Sequence, residues 1–149
     1  MKRITIDNTE YKFEFSIEAS LYDDCTKSVM DTFIRGGMAM GAAENNDVDN
    51  AMENLIATIS NLPQKALTLF YAGLLENHSE TIKSKDDAKK LLTKYIKEQN
   101  KSFSDVLGEM MELMAEDNFF DLIGLTQLTE ELKTETKPNK KAGKSTSEK

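Results

Sequence analysis

The chain has 149 residues, of which 39% are hydrophobic and 30% are charged, and its formal net charge is −7. This length suits one domain with a real core and leaves too little chain for a second independent core. The charge is uneven, because residues 133–149 contain six Lys against two Glu and residues 1–132 therefore carry −11. A body this acidic repels phosphate backbones, so we expect no nucleic acid partner.

The N-terminal segment, residues 3–16, predicts a β-hairpin. Its apolar residues alternate with polar ones on two arms that the polar segment 7–10 separates; they are Ile4 and Ile6, then Tyr11, Phe13 and Phe15. This period of two is typical of strands with one buried face. An isolated hairpin is marginally stable in water, so we expect the apolar face to pack on a helix.

A first long helix is predicted from Ser16, a suitable N-cap, to about Arg35. Its apolar residues recur every four positions and are Ile17, Leu21, Cys25, Val29 and Phe33. Gly36 and Gly37 are predicted to end this helix. Segment 37–46 is rich in Gly, Ala and Met and then in acidic and amide residues, and we predict a loop there.

Two further helices are predicted on either side of Pro63, which breaks one helix and suits the first turn of the next. Asp47 or Asp49 can cap the earlier helix, whose apolar residues share one face: Met52, Leu55, Ile56, Ile59 and Leu62. The later helix, to about Asn77, contains the most apolar stretch of the chain, residues 66–75. We expect it to be a central helix surrounded by its neighbours. Ten residues are too few to span a bilayer, which takes about 20, so no membrane association is predicted.

Two amphipathic helices and a short apolar segment are predicted after residue 83. Ser84 with Asp87 resembles a capping box at the start of the first helix, and Ser104 is the predicted N-cap of the second. Residues 119–125 then form a short apolar helix or turn. The whole pattern predicts a mainly α (α+β) fold, in which the N-terminal β-hairpin packs on a bundle of about five helices.

The composition changes after Leu132. Lys, Thr, Ser, Pro and Gly dominate there, and Ala142 is the only apolar residue left. We predict a single helical domain with its N-terminal hairpin over residues 1–132, followed by a disordered, basic, Lys-rich tail over residues 133–149.

Few residues are candidates for catalysis or metal binding. His78, the only histidine, lies in a polar string at a helix end, where a surface residue or a partner of the helix C-terminus is the usual role. Cys25, the only cysteine, falls on an apolar stripe and is expected to act as a small hydrophobe. We recognise no nucleophile with an adjacent base, no metal-ligand cluster and no phosphate-binding loop. We therefore predict no enzyme activity, no cofactor and no metal.

The N-terminus and the cysteine content indicate the compartment. Met1-Lys2-Arg3 is followed by an alternating pattern and not by an apolar run, which argues against a signal peptide. A single cysteine cannot form an intrachain disulfide and suits a reducing cytosol. We predict a protein that works where it is made.

Methionine is the compositional excess that suggests a function, with eight residues in the chain. Flexible, polarizable Met side chains occur at promiscuous peptide-binding surfaces, although core packing is their commoner role. Adjacent helical positions diverge by about 100°, so at least one of the three late methionines should be partly exposed. We predict a partner-binding surface between these and segment 37–41, with Met38, Met40, Met110, Met111 and Met114.

The order of these parts resembles a known protein family. A hairpin with Ile4-Thr5-Ile6 and Tyr11-Lys12-Phe13-Glu14-Phe15 leads into a long helix. Leu62-Pro63 and a helix with Leu69-Phe70-Tyr71-Ala72-Gly73-Leu74-Leu75 follow, and Phe119-Phe120-Asp121-Leu122-Ile123 precedes a charged tail. Over roughly residues 2–125 this arrangement resembles the tail assembly chaperones of long-tailed bacteriophages and prophages of Gram-positive bacteria.

The resemblance implies a small protein in the cytoplasm of the bacterial host that acts in virion morphogenesis and is not in the mature virion. Members of this family bind the hydrophobic tape measure protein and keep it soluble while the tail tube assembles around it. The implied partner is the tape measure protein, while binding to the tail tube protein and homo-oligomer formation stay open. The alternative interpretation is a small non-catalytic adaptor or regulatory module, antitoxin-like or a host-takeover protein, that binds one folded protein partner.

Overall fold

The computed structural model describes residues 1–44 and 47–127, without the side chains of residues 35–44, 51, 54 and 58. A two-stranded antiparallel sheet, β1 (Lys2–Ile6) and β2 (Thr9–Phe13), opens the chain. The helices that follow are α1 (Ile17–Leu21), α2 (Asp23–Glu44), α3 (Val48–Ser60), α4 (Leu62–His78), α5 (Lys85–Gln99), α6 (Phe103–Glu116) and α7 (Phe119–Leu122). The predicted mainly α (α+β) fold is confirmed, since the hairpin packs on a bundle in which five helices, α2 to α6, are long.

The hairpin turn is tighter than the four polar residues suggested. Only Asp7 and Asn8 connect the strands, with φ of 51° and 62°, while Thr9 pairs with Ile6. Two consecutive positive φ values are typical of the type I′ turn, whose twist matches that of the flanking strands. The polar residues at 9 and 10 therefore belong to β2.

The central position predicted for residues 66–75 is confirmed. They lie in α4, which contacts β2 and helices α1, α2, α3, α5 and α6. The hairpin rests on this helix at Gly73, whose carbonyl oxygen accepts a 2.9 Å hydrogen bond from the Glu14 backbone N–H. Nearby, the rings of Phe13 and Phe70 lie 4.9 Å apart. Because glycine has no side chain, the strand can approach the helix backbone this closely.

The predicted first helix is in fact two helices. α1 ends at Leu21, Tyr22 has an extended backbone (φ −84°, ψ 100°), and α2 begins at Asp23. Cys25 and Val29 are buried as predicted, but Ile17 and Leu21 are 63% and 71% exposed. The four-residue repeat predicts one continuous buried face, whereas the extended residue changes the direction of the chain between the two halves.

The loop predicted for segment 37–46 is wrong for its described part, because α2 continues through Gly36 and Gly37 to Glu44. A glycine inside a helix costs about 1 kcal/mol relative to Ala. Here the neighbouring residues are Ala and Met, which are among the best helix formers. Residues 45 and 46 lie outside the described chain.

The first half of α2 is attached to the bundle, and its second half packs along α3. The Lys65 ammonium, on an almost completely buried side chain of α4, lies 2.7 Å from a carboxylate oxygen of Asp31 in α2. α3 contacts α2 extensively and α4 only slightly. The pair α2–α3 therefore forms a helical hairpin beside the compact core.

The later helices begin close to the predicted positions. The Ser84 hydroxyl accepts a hydrogen bond from the Asp87 backbone N–H at 3.2 Å, which confirms that N-cap. The predicted cap at Ser104 is wrong, because Ser102 caps α6 in a complete capping box with Asp105. The apolar segment after α6 forms the four-residue α7, and Leu125 then enters the core. Residues 128–149, which include the predicted tail, lie outside the described chain.

Candidate functional site

The predicted methionine surface is wrong for two of its residues. Met110 and Met114 are completely buried in the core, while Met111 is half-buried. Met110 and Met114 share the face of α6 that packs on α4. Met111 is turned away from this face by about 100°. The expectation that one of the three is partly exposed is thus confirmed. Met38 and Met40 lie in α2, but their side chains are outside the described part of the structure.

A different apolar surface is exposed on α3, and we call it the α3 face. Its five side chains are between 49% and 66% exposed: Val48, Met52, Leu55, Ile56 and Ile59. At about 100° per residue these positions fall within an arc of about 100°, so they form one continuous stripe. No described residue of α3 is buried. Such a stripe normally packs against a core, whereas this one lies open to solvent.

Two exposed apolar side chains also lie on α2. Phe33 and Ile34 are 42% and 51% exposed, and the Phe33 ring meets Phe120 edge-on at 5.5 Å. α2 and α3 are joined by a short connection and pack together, so they run antiparallel. This direction places Phe33 and Ile34 at about the level of Ile59.

Negative charge borders one edge of the α3 face. Between residues 36 and 64 the chain contains four acidic residues, Glu44, Asp47, Asp49 and Glu53, and no Lys, Arg or His. The Asp47 side chain caps α3 through the Asn50 backbone N–H at 3.3 Å. Helical geometry places Asp49 and Glu53 along the edge of the stripe that carries Ile56. This part of the surface therefore combines apolar and anionic character.

His78 has a structural role that the sequence interpretation missed. Its Nε2 accepts a 2.8 Å hydrogen bond from the Lys12 backbone N–H, and its ring lies 5.3 Å from that of Tyr11. Burial lowers the pKa of His78 from 6.5 and so favours the neutral ring that can accept this bond. His78 lies in the last turn of α4, as predicted, but it is half-buried and its bond to Lys12 attaches the outer edge of β2 to the end of that helix.

Cys25 is confirmed as a small core hydrophobe. It is completely buried, and burial raises the pKa of its thiol to about 12. The nucleophilic form of cysteine is the thiolate. At neutral pH this residue is therefore protonated and inert.

Two open grooves lie on the described surface. The first has a volume of about 540 Å³ and lies between the end of β2 and α7. Its acidic residue Asp117 accepts a 2.9 Å hydrogen bond from the Phe15 backbone N–H and forms an ion pair with the Met1 ammonium. The second has a volume of about 500 Å³ and lies beside the α5–α6 connection. There Glu109 accepts a 2.7 Å hydrogen bond from the Tyr95 hydroxyl and forms an ion pair with Lys101. In both grooves a carboxylate is therefore already bonded to other residues of the protein and stabilises the fold.

The described residues contain no group of three or more His, Cys, Asp or Glu side chains placed to hold a metal ion. None of the helices in the described ranges has the length and apolar character needed to cross a membrane. Comparison with protein-family models, with curated proteins and with solved structures gave no match.

Proposed function

We propose that this protein is a tail assembly chaperone of a long-tailed bacteriophage or prophage. It acts without catalysis in the cytoplasm of the bacterial host, binds the tape measure protein, keeps it soluble while the tail tube assembles, and is not in the mature virion. The observation that carries this proposal is the α3 face, in which five half-exposed apolar side chains form one stripe. Contiguous apolar surface of this kind is typical of protein-binding sites.

The size of the α3 face favours a weak and reversible contact. Full burial of a Val, Leu, Ile or Met side chain contributes about 1.5–3 kcal/mol, so covering the exposed half of five such side chains contributes about 5 kcal/mol in total. Association costs offset much of this gain. One copy therefore binds weakly, and several copies along one long client would together keep it covered. Such binding also allows release when the tail tube replaces the chaperone.

The net charge supports the same role. Residues 1–132 carry −11, and proteins with a large net charge of one sign resist association and precipitation. A complex of this body with a hydrophobic client would therefore stay dispersed.

The test is co-expression of the full chain with the long reading frame encoded beside it, the candidate tape measure protein. We expect the chain to raise the soluble fraction of this client severalfold and to co-purify with it. The double variant Ile56→Gln/Ile59→Gln should lose both effects. A matched control is Ile17→Gln/Leu21→Gln, which makes the same chemical change at exposed positions outside the α3 face.

No gain in client solubility and no co-purification would contradict the proposal. Capture of one folded partner at fixed stoichiometry, without any effect on the tape measure protein, would favour the adaptor function.

A further inference from the structure

We propose that the α3 face binds an amphipathic helix of another polypeptide, whose apolar stripe is flanked by Lys or Arg. This inference rests on the proposed function, because it specifies the class of client segment that the same surface takes. Three features of the described chain carry it, namely the backbone of α3, the charge around it and the length of its stripe.

The backbone of α3 indicates a helical partner. Between its first and last turns the backbone N–H and C=O groups of α3 are hydrogen-bonded to one another, so the α3 face offers a partner mainly side-chain contacts. An extended segment placed there would leave its own backbone groups unpaired, which is costly when they are buried. A helix satisfies its backbone internally and packs its side chains between those of α3.

Addition of a strand to β2 is not an alternative. The backbone N–H groups of Lys12 and Glu14 are already bound, to His78 Nε2 at 2.8 Å and to the Gly73 carbonyl oxygen at 2.9 Å. These two donors on the outer edge of β2 are therefore not free to pair with an added strand.

The charge around the α3 face selects a cationic partner. Segment 36–64 contains four acidic and no basic residues. Lys or Arg flanks on the partner would meet Asp49 and Glu53, whereas a second copy of this chain would bring two anionic borders together. Charge complementarity thus favours another polypeptide over self-association through this face.

The length of the stripe defines the segment. Val48 to Ile59 spans three helical turns, about 16 Å at 1.5 Å per residue. The matching client segment therefore has about 12 residues, with apolar side chains recurring at intervals of three and four.

The test uses the full-length chain and three fluorescent peptides of about 18 residues, long enough to form a helix. The first has a Leu stripe flanked by Lys, the second has Glu in place of Lys, and the third is the Lys peptide with two central prolines that break the helix. Fluorescence anisotropy measures their binding at low and at physiological salt. We expect the first peptide to bind at least about tenfold more tightly than the other two, with an affinity that falls as salt rises.

Two matched pairs of protein variants locate the peptide. Ile56→Gln/Ile59→Gln should weaken binding of the Lys peptide about tenfold or more, and Ile17→Gln/Leu21→Gln should not change it. Asp49→Asn/Glu53→Gln should weaken binding severalfold and reduce its salt dependence. Glu80→Gln/Asp86→Asn, with the same loss of charge at exposed positions elsewhere, should leave both unchanged.

Equal binding of the Lys and Glu peptides, or undiminished binding of the proline peptide, would overturn the inference. So would a dimer in light scattering that the Ile56→Gln/Ile59→Gln variant converts to a monomer, because the occupant would then be a second copy. The proposed function fails separately: peptide binding as expected, without solubilisation of the tape measure protein, would retain this surface and reject the phage role.

Discussion

At the scale of single residues, the structure depends on a few positions where backbone and side chain are closely matched. Gly73 is the clearest, because a Cβ atom there would lie 3.0 Å from Phe13 Cδ1 and 3.3 Å from Phe15 Cζ. Both rings are buried, so neither can move aside freely. By contrast, a Cβ atom on Gly108 in α6 would meet nothing within 4 Å.

We predict opposite effects for alanine at these two glycines. Gly73→Ala gains helix propensity worth about 1 kcal/mol but forces overpacking that costs about 1–3 kcal/mol, so the free energy of unfolding should fall by about 1 kcal/mol. Gly108→Ala gains helix propensity without overpacking, so it should raise the free energy of unfolding by about 0.5–1 kcal/mol. Urea unfolding of both variants measures the difference. Equal stabilisation by the two would show that the hairpin does not pack on α4 at this distance.

His78 predicts a pH dependence of stability. Its folded-state pKa lies below 6.5, so the unfolded chain takes up the proton first as the pH falls. The stabilising contribution of neutral His78 is therefore complete above the unfolded value of about 6.5 and is lost as the pH falls through the folded pKa. His78→Gln keeps a hydrogen-bond acceptor and does not titrate.

We accordingly expect the stability of the wild-type chain relative to His78→Gln to be constant above about pH 7 and to decrease below it. Urea unfolding across this pH range makes the measurement, and the NMR titration of the single imidazole gives its pKa directly. A flat difference between the two proteins, or a native pKa at or above 6.5, would refute the assignment of His78 as an acceptor.

At the scale of elements, the start of a helix is set by a side chain that forms a hydrogen bond with an unpaired backbone N–H group of the first turn. α6 begins with a reciprocal pair, in which the Ser102 hydroxyl accepts from the Asp105 N–H at 3.1 Å and the Asp105 carboxylate accepts from the Ser102 N–H at 2.8 Å. These bonds lower the pKa of Asp105, since they favour its charged form. Ser104, two residues later, is inside the helix and exposed.

We predict that Ser102→Ala lowers the free energy of unfolding by about 1 kcal/mol, because it removes the cap of α6. Ser104→Ala should leave stability within about 0.5 kcal/mol, since alanine suits an exposed helical position. Thermal or urea unfolding compares the two. A larger loss for Ser104→Ala than for Ser102→Ala would place the start of the helix at the position first predicted from the sequence.

At the scale of the whole molecule, stability is divided unevenly. α4, α5 and α6 share the core with the hairpin, while α3 contributes no described buried side chain. A helix of 13 residues is marginal on its own in water and depends on packing for its stability. The molecule thus combines a well-packed core with the α2–α3 helical hairpin. Within this hairpin, α3 is stabilised mainly by its contact with α2.

Hydrogen exchange should reveal this division. We predict that the amides of residues 48–60 exchange at least about a hundredfold faster than those of residues 66–74, because local opening of α3 exposes little apolar surface. Binding of the Lys-flanked peptide should slow exchange in residues 48–60 selectively. Mass spectrometry of peptic fragments measures both, and uniform protection across the two segments would contradict the division.

The sequence by itself determined the hairpin, the long helices α3 to α6 and the central place of residues 66–75, because these follow from local periodicity, capping residues and one unusually apolar segment. It also identified the stripe from Met52 to Ile59, but it could not indicate whether that stripe is covered. Exposure depends on where α3 lies relative to α4, and a periodic pattern looks the same whether the helix packs inward or presents its face to a partner. Only the tertiary structure decided that Met110 and Met114 fill the core while the α3 face is open, because burial is set by the neighbours a side chain meets and not by its own chemistry.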